Sequence, residues 1–503
     1  MQPYILFILA FLIRLINLNQ SLWLDEAVVA KVVKSIPFFQ IPLQFSPGDF
    51  HPPLYYLFMS IWSSLFGYSE ITLRMPSLFF SLIAGWYVYK IGTELKGKTV
   101  GIWAAAFFLF NPLIVYYSQE ARMYMMATAF LSIALYYFLR MSLRAGSVQA
   151  LRSNPLESAT AISWLRNDIV LFNIFSALAM FTFYGSAFFI GGMIVGGAFV
   201  IPIVYPELVE GKIGIQQGKL YRFGIRFGMT IILCLGLVVS LLLLSPLLIQ
   251  QLESAKTGLL EVKNWSLVLG KAELKNVFMI FLKFSAGRLS WYPKWSYYMV
   301  VGLWSIVVGV IMSLGMKKNK LFAYFFILPL IVGIFISFWA PMMMYFRFLY
   351  LIPVMSILLS IAIVPSKHKV INWMPTFVGM TVFIVYSLIY LLLPQFHRED
   401  WKKMVSDINP IQPVYMIVPS SDPVRYYNSG VSVYELRDIQ KTILPEHIQV
   451  IPYVEEIYGY NHMDILKKKG CVRGLRSEYR GPLILEQWTC PASFVGHAGV
   501  GAI

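Results

Sequence analysis

Ser21-Leu22-Trp23-Leu24-Asp25-Glu26-Ala27 sets two adjacent carboxylates directly behind the first apolar run, in a chain otherwise short of charge. A carboxylate at a membrane boundary is costly unless it faces water, a partner or a ligand. Two properties of the surrounding sequence decide what the pair does. One is whether the flanking apolar runs cross a membrane; the other is whether further polar residues gather on the same side.

Composition settles the first. Of 503 residues, 58% are hydrophobic and 13% charged, where a soluble domain carries roughly 25% charge. Apolar runs near 20 residues, each broken by a short charged or Gly/Pro patch, mark a polytopic all-α membrane protein. The alternating pattern of a membrane β-barrel is absent. The net charge of +16 does not imply nucleic acid. Most Lys and Arg outside the tail lie in a few loops between apolar runs, which orients the helices, with contact to anionic lipid as a second use. Cys234 sits in an apolar run and is expected to be inert. Cys471 and Cys490 lie in the polar tail and can pair if that tail is extracytoplasmic; their spacing fits no metal motif.

Working outward from the pair, residues 3–18 lack a basic n-region and a small-x-small cleavage site, so they read as a retained first span. In the loop 19–50, the apolar turns at 27–33 and 36–43 suit short interfacial helices. His51-Pro52-Pro53 leads into an apolar stretch ending at Phe66, too short for an ordinary span. Further spans are expected at 71–91, 100–117, 123–139, two within 171–205 turning near Tyr184-Gly185-Ser186, then 227–249, 298–314, 321–339, 345–364 and 377–393. The stretch 277–284 reads as interfacial. Residues 142–167 break the apolar rhythm and read as a loop. This gives about eleven spans with the N-terminus cytoplasmic. The basic short loops then fall on one side, and Asp25, Glu26, His51, Glu120, Arg122 and Arg347 on the other. Domain one is 1–394. From 395 the composition turns polar, and strand-like runs at 414–418, 443–454 and 481–486 predict a small extracytoplasmic α/β domain over 395–503.

Each candidate also has a plainer use. Asp25 would cap an interfacial helix starting near Ala27. His51 would be an interfacial polar residue whose prolines force an extended approach. Glu120 and Arg122 would form a local ion pair, and Arg347 and Arg74 would snorkel to head groups. Taken together, an acid pair with several Arg and a His at one boundary suits a carboxylate base acting on a lipid-linked phosphate ester.

Leu24-Asp25-Glu26-Ala27, His51-Pro52-Pro53-Leu54-Tyr55-Tyr56, Arg74-Met75-Pro76-Ser77, Tyr117-Ser118-Gln119-Glu120-Ala121-Arg122 and Tyr345-Phe346-Arg347 follow the order seen in GT-C glycosyltransferases. The chain resembles the protein-O-mannosyltransferase and aminoarabinose-transferase type, strongest over 1–140 and looser over 170–400. That resemblance implies a GT-C fold and a polyprenyl-phosphate sugar donor bound at the outer face. It also implies an inverting transfer to a lipid, glycan or protein hydroxyl. Carried over by position, Asp25 is the catalytic base and Glu26 its support. His51 and Arg122 lie near the donor phosphate, Arg347 faces the lipid phosphate, and Glu120 and Arg74 belong to the substrate-binding set. Divalent-metal use varies in the family, and no ligand cluster in the sequence decides it. A lipid-linked-sugar flippase would carry ionisable groups deep at the midplane, whereas the charges here cluster at the boundary. A non-catalytic scaffold presenting the tail is the remaining alternative.

Overall fold

The computed structural model describes residues 2–150, 155–197, 218–264, 269–364 and 373–491. They fall into two compact units. The first comprises residues 1–18, 36–255 and 269–396, and the second residues 19–35, 256–268 and 397–503. The division expected at 394/395 is therefore incomplete. The tail unit also takes in the first-loop segment that carries Asp25 and Glu26, and a second segment ending at 268.

The first unit is helical: α1 (Pro3–Arg14), α3 (Leu54–Phe66), α4 (Glu70–Lys96), α5 (Lys98–Leu109), α6 (Pro112–Ser118), α7 (Tyr124–Ala150), α8 (Pro155–Thr182) and α9 (Ser186–Val195), followed by the helix Gly218–Glu261 as far as Ala255 and the helices Leu274–Ala286, Lys294–Lys318, Lys320–Ile336, Ile352–Ile363 and Trp373–Leu392. The helix α2 (Leu24–Ser35) belongs to the second unit. Among the described residues, six helices are long and apolar enough to cross a membrane. The pair α5 and α6, bent by 61° around Phe110-Asn111, makes a seventh if counted as one span. The expected spans at 3–18, 321–339 and 377–393 appear as shorter apolar helices. The break between α8 and α9 falls where the Tyr184-Gly185-Ser186 turn was expected.

The expected loop at 142–167 is corrected. Helix α7 runs on to Ala150 and α8 starts at Pro155, leaving only 151–154 outside the described residues. Ala, Leu and Arg are strong helix formers, so loss of hydrophobicity here ends the apolar run without ending the helix. Close helix contact also has a visible cause. A Cβ on Gly92 would meet Gly101 Cα at 2.8 Å, so glycine on both helices lets α4 and α5 approach backbone to backbone.

Arg14 lies inside the apolar α1 yet is fully buried. Its Nε donates to Ser81 Oγ at 3.1 Å, Nη1 to Ala10 O at 2.7 Å and Nη2 to Leu109 O at 2.6 Å. Gln119 Nε2 donates to Arg14 O at 2.9 Å and Ile16 O at 2.7 Å. The end of α1 is thus tied to α4, α5 and the turn after α6.

The tail is a five-stranded mixed sheet in the order β2-β1-β3-β5-β4, with β1 (Val414–Met416), β2 (Val433–Glu435), β3 (His447–Ile451), β4 (Val472–Glu478) and β5 (Ile484–Thr489). β1 runs parallel to β2 and β3, while β5 is antiparallel to β3 and β4. Apolar side chains cover both faces. One face carries Trp401, Met404, Val414, Met416 and Leu485, the other Tyr415, Ile417, Ile448 and Trp488. That explains why β1 reads as an unbroken apolar run. Cys471 and Cys490 form a disulfide within this unit.

In the same unit, His462 is clamped between two acids. Its Nδ1 lies 2.6 Å from Glu455 Oε2 and its Nε2 2.9 Å from Glu486 Oε2. Glu486 also meets Arg473 Nη1 at 3.3 Å and accepts from Trp488 Nε1 at 2.9 Å. Burial pulls the His462 pKa down, but the hydrogen bonds and charge of the two glutamates outweigh it and raise the pKa to about 9. A pKa raised in the folded state means that the imidazolium stabilises the fold fully below the unfolded value near 6.5. That stabilisation is lost as pH rises through about 9. Amide exchange in β4 and β5 of the full chain should accelerate between pH 6.5 and 9 beyond the intrinsic pH effect, and His462→Gln should remove that dependence. Removing the shared cation should also destabilise the tail by roughly 3 kcal/mol. Wild-type protection with an unchanged pH profile in the variant would contradict the assignment.

Candidate functional site

The loop between the π-turn Ile41–Phe45 and α3 carries Asp49 and His51. His51 Nδ1 lies 3.3 Å from Asp49 Oδ1. Pro52-Pro53 follows, and α3 begins at Leu54 with Pro53 as its N-cap. One side chain from far along the chain pins this loop. Gln251 Nε2 donates to Ser46 O at 2.7 Å and to His51 O at 3.0 Å, and its Oε1 accepts from Tyr184 OH at 2.7 Å. Ser254 Oγ adds a bond to Pro47 O at 2.9 Å. Gln251 is buried, so every one of these bonds replaces water.

Arg122 and Arg347 act electrostatically on the same pair. Burial lowers the His51 pKa, Asp49 partly opposes this, and both guanidinium groups lower it further. Burial would raise Asp49, but the His51 interaction and Arg122 outweigh it and hold the carboxyl below its usual range. At neutral pH the four groups therefore consist of one carboxylate, a neutral imidazole and two guanidinium ions. The net charge is positive, and the cluster favours an anion. Aromatic rings frame it. Arg122 lies over Tyr124 at 6.0 Å, Tyr124 packs on Phe346 at 5.4 Å, and His51 stacks with Phe183 at 6.5 Å. Arg347 Nη1 donates to Pro341 O at 3.1 Å.

Glu120 belongs to an adjoining network. Tyr116 OH donates to Glu120 Oε1 at 3.2 Å, and Arg288 Nη1 donates to Tyr116 OH. Tyr117 is within electrostatic reach of Glu120, Arg288 and Tyr345. The backbone that presents Arg288 is fixed from behind by Lys283, whose Nζ donates to Leu289 O and Tyr297 OH, both at 3.1 Å. Burial first, then Arg288 and Lys294, lower the Lys283 pKa to about 7. Gly287, at φ +71°, abuts Pro112, where a Cβ would come within 2.9 Å. Glycine is thus required where this turn meets α6.

Arg74, Asp25 and Glu26 have partners of their own. Arg74 is fully buried in α4 and its Nη1 donates to Leu18 O at 2.9 Å. The expected snorkelling is corrected: Arg74 ties down the point where the first loop leaves α1. In the second unit, α2 begins at Leu24, three residues before the expected start. Asp25 is therefore in the first turn and is not the cap. Glu26 is buried, and its Oε2 accepts from Trp23 N–H at 3.4 Å, the reach-back of a capping box. Asp25 remains partly exposed. Two acids at a helix N-terminus are favoured by its positive end. Among the described residues, no three His, Cys, Asp or Glu side chains gather as metal ligands.

Asp49, Gln251 and Arg288 were not anticipated as site residues. Asp49 is two positions from His51, the spacing at which a loop carboxylate meets an imidazole, and that was the available signal. Gln251 and Arg288 carry none, because their partners are far away in sequence.

Residues 50–152 match the family described as dolichyl-phosphate-mannose-protein mannosyltransferase. No curated protein sequence matches significantly. ArnT from Cupriavidus metallidurans in the apo state superposes with a TM-score of 0.52 at 12% identity, covering 96% of this chain and 97% of that one. The same protein bound to undecaprenyl phosphate matches with TM-score 0.52, 12% identity and the same coverage. The Archaeoglobus fulgidus oligosaccharyltransferase in the apo form is less similar, with TM-score 0.45 and 13% identity over 86% of this chain and 64% of that one. The likeness to ArnT gives this chain its fold, a bundle of apolar helices followed by a small C-terminal sheet domain.

Gln251→Ala should release the Ser46 and His51 carbonyls and cost about 1–3 kcal/mol of local stability. Amide exchange across residues 46–51 should rise roughly 10- to 100-fold, with exchange in α4 and α7 unchanged. Equal protection in the variant would remove Gln251 as the clamp.

Proposed function

We propose that this chain, a member of the GT-C superfamily by its fold and by the match over residues 50–152, transfers a sugar from a polyprenyl-phosphate donor to an acceptor hydroxyl. The acceptor is a lipid, glycan or protein hydroxyl. The observation that carries this reading is the positively biased cluster of Asp49, His51, Arg122 and Arg347. It lies on a fold shared with a protein solved bound to undecaprenyl phosphate. A lipid phosphate is the anion such a cluster would hold.

The acceptor oxygen attacks the anomeric carbon as the bond from that carbon to the phosphate oxygen breaks, with inversion. The acceptor proton passes to the Asp25 carboxylate. The phosphate leaves as an anion and needs charge stabilisation without protonation. Arg122 and Arg347 supply it as paired guanidinium donors. Asp49 orients the His51 ring, and Tyr116, Glu120 and Arg288 form a second wall. One carboxylate base suffices, whereas a glycoside hydrolase needs two carboxyls. The assignment to Asp25 rests on its place in the ordered motifs and on its partial exposure, with Glu26 occupied in holding the helix start. An outer-face reaction is supported by the Cys471–Cys490 disulfide, which belongs to an oxidising compartment.

The test is mass spectrometry of envelope glycolipids and glycoproteins from cells carrying the wild-type chain, Asp25→Asn or no chain. Asp25→Asn should insert into the membrane normally and lower transfer at least about 100-fold. Near-normal product would remove Asp25 as the base. Unchanged profiles between wild type and the null would remove the transferase reading.

A further inference from the structure

The helix carrying the proposed base is built into the C-terminal domain, although residues 36–396 separate them in the chain. Four consecutive residues before Asp25 are held by it. Ser21 Oγ accepts from Lys402 N–H at 3.1 Å, and Leu22 N–H donates to Tyr427 OH at 2.8 Å. The Arg398 guanidinium lies 3.5 Å from the centroid of the Trp23 ring, and Leu24 packs on the core around Trp401 and Met416. On the far side of Asp25, Lys31 Nζ pairs with the buried Asp422 Oδ1 at 3.0 Å. Asp422 and Tyr427 open and close one short helix, Asp422–Tyr427. The two attachments that bracket the acid thus share a single support.

We infer that the C-terminal domain is the positioning device for the transfer base, with Asp422, Tyr427 and Arg398 as positioning residues that set the orientation of α2. This rests on the preceding reading of Asp25. A carboxylate that takes a proton in flight must be held to within a fraction of an ångström, and small misplacement is reflected in turnover before binding. Loosening α2 should therefore lower kcat while the donor KM and the stoichiometry of lipid-phosphate binding stay at wild-type values. An unstable protein would instead lose binding sites.

The experiment uses the full chain in lipid nanodiscs, with undecaprenyl phosphate as the binding probe and turnover followed on the donor identified by the mass spectrometry above. Lys31→Asp and Asp422→Lys should each lower kcat about 10-fold or more, and the double exchange K31D/D422K should recover most of it. Tyr427→Phe removes one hydroxyl while keeping the ring, and should lower kcat several-fold with probe binding unchanged. If the charge exchange does not accumulate, Tyr427→Phe decides alone. Wild-type kcat in Tyr427→Phe, or no recovery in a well-folded double exchange, overturns the positioning role while Asp25→Asn is inactive. Full activity in Asp25→Asn overturns the base assignment itself and, with it, this inference.

Discussion

An ionised side chain inside an apolar helix bundle must have its hydrogen-bonding groups met by protein, because no water is there to meet them. Arg14 satisfies this by donating to Ser81, Ala10 and Leu109. Those three partners lie on α4, α1 and α5, so meeting the requirement fixes where α1 ends. Gln119 secures the next residues, and Arg74 holds the carbonyl of Leu18. The first loop therefore leaves the bundle from a position defined by three buried polar side chains. A charge that looks misplaced in the sequence is the anchor from which that loop departs.

The same rule separates the charged residues by task. Arg14 and Arg74 are fully buried, Arg14 donating to the Ser81 hydroxyl and two carbonyls and Arg74 to the Leu18 carbonyl. Arg122 and Arg347 bear on the Asp49–His51 pair, where positive charge exceeds negative, although Arg347 also donates to the Pro341 carbonyl. Sequence could not make this distinction, since Thr72-Leu73-Arg74 and Met344-Tyr345-Phe346-Arg347 look alike: an Arg among apolar neighbours. What differs is a partner distant in sequence. For Arg74 it is a carbonyl 56 positions away, which no local pattern reports.

Legibility followed the length over which a pattern repeats. The long apolar helices were readable because twenty residues of one character leave little alternative. In the tail, β1, β3 and β5 were readable as apolar runs. β2 is three residues long, and β4, Val472–Glu478, is an exposed edge carrying Arg473, Arg476 and Glu478. Charge on an edge strand blocks pairing with other chains and hides the strand from a hydrophobicity pattern. Residues 142–167 failed in the opposite direction. Their polarity ended the apolar run, but helix formation needs backbone hydrogen bonds and tolerant side chains, and both continue on either side of 151–154. Around the Asp49–His51 pair, His51, Arg122 and Arg347 stood out as candidates through ordered motifs, whereas Gln251 did not. An amide that holds two carbonyls 200 and 205 residues distant leaves no trace in its neighbourhood.

The acid pair is where reading by adjacency misled most. Asp25 and Glu26 follow α1 in the chain, so they appear to belong to the helical unit, yet the contacts of Ser21, Leu22, Trp23, Leu24 and Lys31 assign them to the sheet domain. The two acids also divide by burial. Glu26 turns back to the Trp23 amide and is enclosed, while Asp25, one position earlier, stays partly open. On a helix these neighbours point about 100° apart, so one can hold the helix start while the other faces outward. The domain that holds the start of α2 has a packed core on each side of its sheet, around the helix residue Trp401 on one and the strand residue Trp488 on the other, so this segment is tied to a built core and is not a loose loop.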